Sequence, residues 1–316
     1  MSSLVQIDAA RLGRTLGTWR HASDLPPRAE SQYHLALSRV PWARQHRRLI
    51  GIADQRDNLW ATAARHELAG TLDGAPVRIC VVGEIVEHVE PHNGHAVRLV
   101  ERLLEEAATE GFDLALIHAP GEMAFPRALQ RVATMDLTLR VTESPRRGAP
   151  MAPVRSGDRA DIATIARIAP LGRTRRRLQV ERDAGYLDFV LARRRLRAGL
   201  TADGARQLLF LVVEEGMQAA AYVVITVVRD TWVLELCGDH DPTGARAGAI
   251  LQALIAREPA ERRPTITAWL PDGFVPPQVS IVSALAAADG IWLRWLSGSS
   301  RQLAGEDVML WRGDLP

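Results

Sequence analysis

Apolar residues in the first half of the chain alternate with polar ones in some segments and recur every third or fourth residue in others. Alternation is typical of strands, and the longer repeat is typical of an amphipathic helix. Gly111 gives the clearest helix a natural C-terminal stop. The pattern predicts, in order, strands at 48–53, 59–70 and 77–89, a helix at 95–110, a strand at 113–118, a helix-like stretch at 122–133 and a strand at 137–141.

A linker is predicted at 142–153, which holds three prolines and Gly148. Beyond it the same kinds of pattern return. Asp158 is a suitable residue to open the first helix there, and Ile162, Ile165 and Ile168 give that helix its apolar face. The predicted elements are a strand at 154–155, this helix, a second helix at 186–197, strands at 207–213, 219–228 and 231–237, a helix at 244–257, a strand at 265–270, a helix-like stretch at 280–288 and strands at 291–295 and 308–311.

The two halves follow a similar plan. In each, a pair of long strands leads to a helix opened by a glycine, Gly94 or Gly244, and then to a short strand that ends in a proline turn. A chain of 316 residues is long enough for two domains, each with its own core. We therefore expect domains at 1–145 and 146–316 that repeat one fold, although strand–helix–strand units also recur without duplication.

The composition is that of an ordinary globular protein, with 47% hydrophobic and 24% charged residues. The chain has no apolar run of membrane-spanning length and no basic-then-apolar leader, so a cytoplasmic protein without a membrane partner is expected. Cys80 and Cys237 lie in apolar runs and are predicted to be inert buried thiols. The chain contains no lysine, which excludes a lysine nucleophile or Schiff base.

Two other kinds of site receive less support. Arginine clusters at 173–177 and 193–195 are accompanied by few aromatic residues, so a solvated helix face or a rim facing an acidic ligand is favoured over nucleic-acid binding. Histidines and a glutamate at 88–95 suggest zinc, but Pro91 prevents His88 and His92 from sharing a helical face. We expect neither a metal nor a nucleic-acid partner.

The segment that most clearly suggests a binding site runs from the strand at 77–89 through a short loop into the helix at 95–110. Small residues at Gly94 and Ala96 leave the backbone N–H groups at the helix N-terminus accessible, and the helix dipole favours an anion there. This strand, turn, small-residue loop and amphipathic helix resemble the corresponding motif of the Gcn5-related N-acetyltransferase (GNAT) family. In the second half, segments at 220–224, 235–241 and 248–254, with 268–271, are similar to the partner domain of tandem GNAT proteins.

The resemblance implies an α/β (α+β) fold of two tandem GNAT-like domains, each a mixed, mostly antiparallel sheet with flanking helices. It also implies acetyl-CoA as cosubstrate and a small-molecule amine or a peptide as acceptor, with the protein a monomer or homodimer. Two departures from the family pattern are Pro91, where the family has Arg or Gln, and Phe125, where it often has Tyr. The residues implied in cofactor binding are Val89, Asn93, Gly94, His95, Ala96, Val97 and, in the second half, Gly244.

Family enzymes often use a strand carboxylate as general base and a tyrosine as general acid. Glu84, Glu87 and Glu90 are regularly spaced on one predicted strand and are expected to share a face, with His88 on the other. Glu87 is the preferred base and Glu84 the second candidate; the alternative is a solvated strand face. In the second half, Tyr222 is the candidate acid.

Two functions remain open from the sequence. One is an N-acetyltransferase in which an amine attacks the thioester directly. The other is a catalytically weakened GNAT-like protein that binds acyl-CoA or a different ligand, and the missing Arg and Tyr favour this second possibility. We prefer the N-acetyltransferase, because the families that this layout resembles are mostly transferases.

Overall fold

The computed structural model describes residues 3–8, 11, 25–56, 58–88, 94–120, 123, 125, 129–132, 135–142, 153–168, 177–201, 205–269, 275–287, 289–298, 303 and 307–316. Predictions for Val89, Glu90, His92 and Asn93 therefore lie outside the described residues, as does most of the predicted linker.

The described residues form sixteen strands and six α-helices. The helices are α1 (Pro27–Leu37), α2 (Pro41–His46), α3 (His95–Thr109), α4 (Ile162–Ile165), α5 (Ala184–Leu200) and α6 (Ala245–Ile255). The strands are β1 (Ser3–Gln6), β2 (Arg47–Ala53), β3 (Leu59–Leu72), β4 (Ala75–Glu87), β5 (Leu114–Pro120), β6 (Gln130–Val132), β7 (Met135–Val141), β8 (Val154–Ser156), β9 (Leu178–Val180), β10 (Arg206–Glu215), β11 (Gln218–Val228), β12 (Thr231–Asp239), β13 (Thr265–Ala268), β14 (Val279–Ala286), β15 (Asp289–Trp295) and β16 (Val308–Met309).

The strands form two sheets with the same plan. The main path of the first sheet is β1-β2-β3-β4-β5-β15-β6, and the second sheet has the order β8-β10-β11-β12-β13-β7-β14. The central pair is parallel in both, β4 with β5 and β12 with β13, and α3 or α6 connects its two strands. The other pairs on these paths are antiparallel. The mixed, mostly antiparallel architecture predicted from the sequence is confirmed.

The two sheets exchange one strand each. β7, from the first half of the chain, lies between β13 and β14 of the second sheet, and β15, from the second half, lies between β5 and β6 of the first. The exchanged strands occupy the same position in the two orders. The division into domains at residues 145 and 146 remains a prediction, and strand pairing crosses it in both directions.

Helix α3 covers one face of the first sheet because its apolar side faces the strands. Leu99 and Leu103 are fully buried and pack in one cluster with Ala61, Cys80 and Val82 of β3 and β4. The opposite face of the sheet carries Ile79 and Val81, which belong to a larger core that also contains α1 and α5. That core continues into the second sheet, so the two halves share one apolar interior.

The predicted helix-like stretch at 280–288 is wrong. Most of it is strand β14, which pairs with β7 from Val279 to Ala286. Its side chains from Ser280 to Ala286 are all exposed, so the apolar residues that suggested a helix face do not form one. The helix-like stretch predicted at 122–133 is contradicted at its end, where residues 130–132 form β6. Helices α1 and α2 were not predicted.

Candidate functional site

The central parallel strands of each sheet pair along only part of their length. β4 and β5 pair from Ile79 with Leu114 to Val82 with Ile117, and β4 then continues to Glu87 without pairing to β5. β12 and β13 likewise pair only as far as Leu234 with Ala268. Each sheet therefore has an opening between its central strands, on the side where the following helix begins.

A β-bulge lies at the start of each opening. The register of β3 with β4 shifts between Thr62 and Ala64, and Glu84 has a positive φ of 49° there. In the second sheet the register shifts between Val224 and Ile225, opposite Glu235. Since a bulge leaves an extra residue outside the regular ladder, each opening has irregular backbone at its base.

Glu84 is locked in a buried polar network. Its carboxylate accepts hydrogen bonds from the Tyr33 hydroxyl (2.8 Å) and from Arg47 Nη2 (2.7 Å), and Arg47 Nη2 also contacts His34 Nδ1 at 2.8 Å. Burial is the largest single influence and acts to raise the pKa of Glu84, but the Arg47 guanidinium, His34 and Arg197 together outweigh burial and hold the pKa well below its ordinary value. A carboxylate so paired is a poor proton acceptor.

Glu84 and Glu87 do not share a face, so that prediction is wrong. Glu84 bonds to Tyr33 of α1, whereas Glu87 Oε1 accepts a hydrogen bond from the backbone N–H of His95 at the start of α3 (3.0 Å). The two helices pack on opposite faces of the sheet. Side chains three apart on a strand point to opposite faces, and the bulge between them does not bring them together.

The N-terminus of α3 begins at Gly94, which adopts the left-handed conformation (φ 71°, ψ 23°). Among the described residues, and leaving aside the neighbours of Gly94 in the chain, no atom lies within 4 Å of where a Cβ would stand on Gly94, so the described surroundings of the glycine are open. Ala96 is buried and Val97 half-buried in the first turn. The described part of the predicted cofactor loop therefore combines a helix N-terminus with open space, the geometry that favours an anion.

The two described histidines near the N-terminus of α3 each contact a side chain of β3. His88 contacts Thr62 Oγ1 at 3.0 Å, and burial lowers the pKa of His88 to about 4, so it is neutral at physiological pH. The His95 ring lies against Trp60, with ring centroids 4.6 Å apart. Among the described residues, no group of three or more His, Cys, Asp or Glu side chains is arranged to hold a metal ion.

The N-terminus of α6 repeats the backbone geometry, because Gly244 has φ 71° and ψ 18°. Its amides, however, are already bonded. Asp239 Oδ2 accepts from the backbone N–H groups of Arg246 (2.9 Å) and Ala247 (3.1 Å). The Arg246 side chain in turn pairs with Glu215 at 2.7 Å. An anion at this helix would have to displace a buried carboxylate.

The opening in the first sheet is lined by a residue that sequence reasoning missed. His118 lies on β5 directly after the last residue paired with β4, and its Nδ1 is 3.0 Å from the Pro316 carbonyl oxygen. Its Nε2 lies 3.8 Å from Asp289 Oδ2, and the nearby imidazole lowers the pKa of Asp289. Pro316 also contacts β4, since a Cβ on Gly83 would stand 2.8 Å from the Pro316 Cβ. Thus Pro316 lies beside both Gly83 of β4 and His118 of β5 at the opening.

Three polar or aromatic side chains border His118 from the second sheet and the end of the chain. The Trp269 ring stands edge-on to the His118 ring at 6.0 Å, and its indole N–H donates to Asp136. Arg312 lies over the Trp269 ring at 5.3 Å and contacts Asp136 Oδ1 at 3.3 Å. A partly exposed His–Asp pair therefore sits among polar groups where the two sheets meet.

The last residues of the chain run from one opening to the other. Gly313 packs against β12, where an added Cβ would stand 2.7 Å from Leu236 Cγ and 2.9 Å from the Glu235 carbonyl oxygen. Asp314 is buried and forms an ion pair with Arg182. The same C-terminal segment therefore packs against β12 at the second opening through Gly313 and places Pro316 at the first.

Tyr222 lies in the second sheet, away from Gly94 and Glu87 in the first. It is almost completely buried, and burial raises its pKa. The structure does not bring it together with the predicted base. His118 and Asp289 had no signal in the sequence, because 170 other residues separate them and only the strand exchange makes their strands neighbours.

No protein-family model matches the chain, and no curated protein matches it. Several solved structures do match it in fold. A probable N-acyltransferase of unknown function from Enterococcus faecalis V583 superposes with a TM-score of 0.62 at 12% identity, over 94% of this chain and 73% of that one. A GCN5-related N-acetyltransferase from Anabaena variabilis gives 0.61 at 10% identity, over 94% and 73%.

A third similar structure is the N-myristoyltransferase of Saccharomyces cerevisiae with bound myristoyl-CoA, with a TM-score of 0.54 at 11% identity, over 93% of this chain and 82% of that one. At these identities the likeness shows the architecture alone. The chain has the fold of the GCN5-related N-acetyltransferases.

Proposed function

We propose that the chain is an acyl-CoA-dependent N-acyltransferase with one working site, in the first sheet, and that it moves an acetyl group from acetyl-CoA to a primary amine of a small molecule or peptide. The two halves are interpreted as tandem GNAT-like domains of which only the first binds the thioester. The observation that carries the proposal is the difference between the two helix N-termini. Beside Gly94 the described surroundings leave open space and Glu87 accepts from one helix amide, whereas beside Gly244 the buried Asp239 accepts from two.

Binding would use the opening between β4 and β5. The backbone around Gly94 to Ala96 would receive the pyrophosphate, since N–H groups at a helix N-terminus favour negative charge. The unpaired end of β4 offers main-chain groups to the amides of the pantetheine arm. Glu87 would have to release the His95 amide when the phosphates arrive, because two anions cannot share one donor.

His118 is the proposed general base. It stands beside the opening. Its Nδ1 donates to the Pro316 backbone oxygen at 3.0 Å, so the lone pair of the neutral ring is on Nε2, which lies 3.8 Å from Asp289 Oδ2. In the reaction, His118 takes a proton from the attacking amine, directly or through water. The new C–N bond forms as the C–S bond breaks, and the departing thiolate then takes a proton from solvent. Glu84, which is tied to Arg47, has no proton-transfer role in this scheme.

The competing proposal is a GNAT-like protein that binds acyl-CoA or another ligand without transfer. It is favoured by the Glu87 carboxylate at the first helix N-terminus, which weakens the attraction for phosphate.

A thermal-shift titration with acetyl-CoA, followed by a thiol-release assay over a panel of amines, separates the two proposals. Stabilisation together with amine-dependent thiol release supports the enzyme. Stabilisation without release for any amine supports a protein that binds acyl-CoA without transfer. The absence of stabilisation excludes the enzyme and leaves only a protein that binds another ligand.

A further inference from the structure

Strand β14 forms one edge of the second sheet. It has eight residues and pairs with β7 on one side only. Among the described strands, the others at sheet edges are β1, β6, β8 and β16, and each of them has two to four residues. Short edge strands limit pairing with another chain, so β14 is the edge of this molecule that is long enough to pair.

The same edge gathers the exposed apolar side chains. Among the described residues, five large hydrophobic side chains are exposed, and four of them are Met135 of β7 and Ile281, Val282 and Leu285 of β14. Their exposed fractions run from 39% to 66%. β14 contains no charged residue, although charges are a usual means of keeping an edge strand from pairing. An apolar edge with outward-facing backbone N–H and C=O groups is suited to receive another strand.

A bulge in β14 determines which part of the edge can pair. The register of β14 with β7 shifts between Ile281 and Ser283, so Val282 lies outside the regular ladder. Beyond this bulge, residues 283–286 pair one to one with residues 135–138 of β7. This regular stretch is therefore the part of β14 that offers a straight strand edge.

We propose that β14 pairs antiparallel with β14 of a second copy of the chain, about a two-fold axis beside residues 283–286. A two-fold interface uses the same surface twice, so the surface must be compatible with itself. An uncharged strand meets this condition, because self-pairing places no like charges opposite each other. The pairing covers the exposed apolar side chains of both copies, and it does not depend on acetyl-CoA or on transfer.

The charges at the two ends of β14 favour the antiparallel direction. Arg140 of β7 pairs with Ser280 near the start of β14, and Asp289 follows the end of β14. Antiparallel pairing brings the end beside Arg140 in one copy to the end beside Asp289 in the other. Parallel pairing would instead bring each end to its own copy, with like charges together.

Sedimentation velocity of the full chain over a range of concentrations tests the proposal. The wild type is expected to dimerise, and Leu285→Lys should raise the dissociation constant by about tenfold or more, because the two-fold axis repeats each lost apolar contact and each added charge. Met217→Lys is the matched control, since Met217 is 89% exposed and lies in the turn between β10 and β11. It should dimerise as the wild type does. A dimer that Leu285→Lys does not weaken overturns the proposal, and a wild type that stays monomeric overturns it and leaves the edge to a strand of another protein.

Cross-linking locates the contact without relying on a disrupted interface. Ser283→Cys places a thiol at an exposed position beside the proposed axis, and the native thiols of Cys80 and Cys237 are buried. A short bismaleimide should therefore link two chains of Ser283→Cys and leave Met217→Cys unlinked. A Ser283→Cys chain that dimerises but is not linked would place the dimer contact on another surface and overturn the proposal.

Discussion

Glu87 and Asp239 end the equivalent central strands of the two sheets, and each carboxylate accepts a hydrogen bond from the first turn of the helix that follows. The two helix N-termini nevertheless differ in how many amides the carboxylate binds and in how deeply it is buried. Glu87 accepts one amide hydrogen bond in the first turn of α3, from His95. Asp239 accepts from two helix amides and from the Asp241 amide, and it is buried.

The difference in these contacts supports the proposal that the two halves have different roles. Glu87 is half-buried, and a half-buried carboxylate can leave a helix N-terminus more readily than a buried one when a stronger anion arrives. A buried carboxylate with several partners cannot leave without exposing unpaired donors. We therefore place ligand binding in the first half and structural support in the second.

Replacing Glu87 by Gln should tighten acetyl-CoA binding. The change removes a negative charge from the N-terminus of α3, where such charges interact by about 0.3–1 kcal/mol, so the affinity should rise roughly two- to fivefold. Calorimetric titration of wild type and variant measures this directly. If Glu87 is instead the general base, turnover will collapse while affinity stays the same, and that result would reverse the assignment.

Replacing His118 by Gln should lower kcat by about 10²–10⁴, the usual contribution of a general base, and leave acetyl-CoA affinity unchanged. Asp289→Asn should lower kcat by a smaller factor, because Asp289 acts only through the His118 ring. Steady-state kinetics with the best amine of the panel give both values. A His118→Gln enzyme with wild-type turnover would exclude His118 as the base.

Replacing Glu84 by Gln should cost stability in a way that depends on pH. The variant leaves Arg47 buried without its partner, which costs about 3–5 kcal/mol near neutral pH. Because the folded-state pKa of Glu84 is lowered, its contribution is fully present above the ordinary value of 4.5 and is lost as the pH falls through the folded-state pKa. Urea unfolding of both proteins across this pH range measures the difference in their free energies of unfolding, which should shrink in acid. A difference that does not change with pH would contradict the assigned ion pair between Glu84 and Arg47.

Gly313→Ala should destabilise the protein by about 1–3 kcal/mol, because the added methyl meets the Glu235 backbone and the Leu236 side chain. Gly199→Ala is the matched control. It lies in α5, and apart from the backbone of that helix no atom of the described residues lies within 4 Å of its Cβ position, so the same change should add about 0.4–1 kcal/mol of stability. Equal melting temperatures for the two variants would show that the end of the chain is not packed against β12.

The sequence predicted the elements whose pattern is local. Helix α3 and the long strands β3, β4, β11 and β12 carry clear periodicity, and the glycines before α3 and α6 mark matching turns, as the structure confirms. The predicted helix over β14 failed because an exposed strand of Val, Ile, Leu, Ser and Ala has no alternation to distinguish it from a helix.

The site was less predictable because it depends on contacts between distant residues. The neutralisation of Glu84 comes from Arg47 on another strand, and the pairing of His118 with Asp289 comes from the exchanged strand β15. The occupied helix N-terminus at Gly244 depends on where the Asp239 side chain points, which spacing alone does not give.

The central claim is that one helix N-terminus binds acetyl-CoA and the other does not. Gly94→Glu and Gly244→Glu place the same side chain at the same backbone conformation in the two halves, so they form a matched pair. Calorimetric titration should give one acetyl-CoA per wild-type chain, one for Gly244→Glu and no binding for Gly94→Glu. Two bound molecules per chain, or a Gly94→Glu variant that folds and binds as the wild type does, would contradict the account.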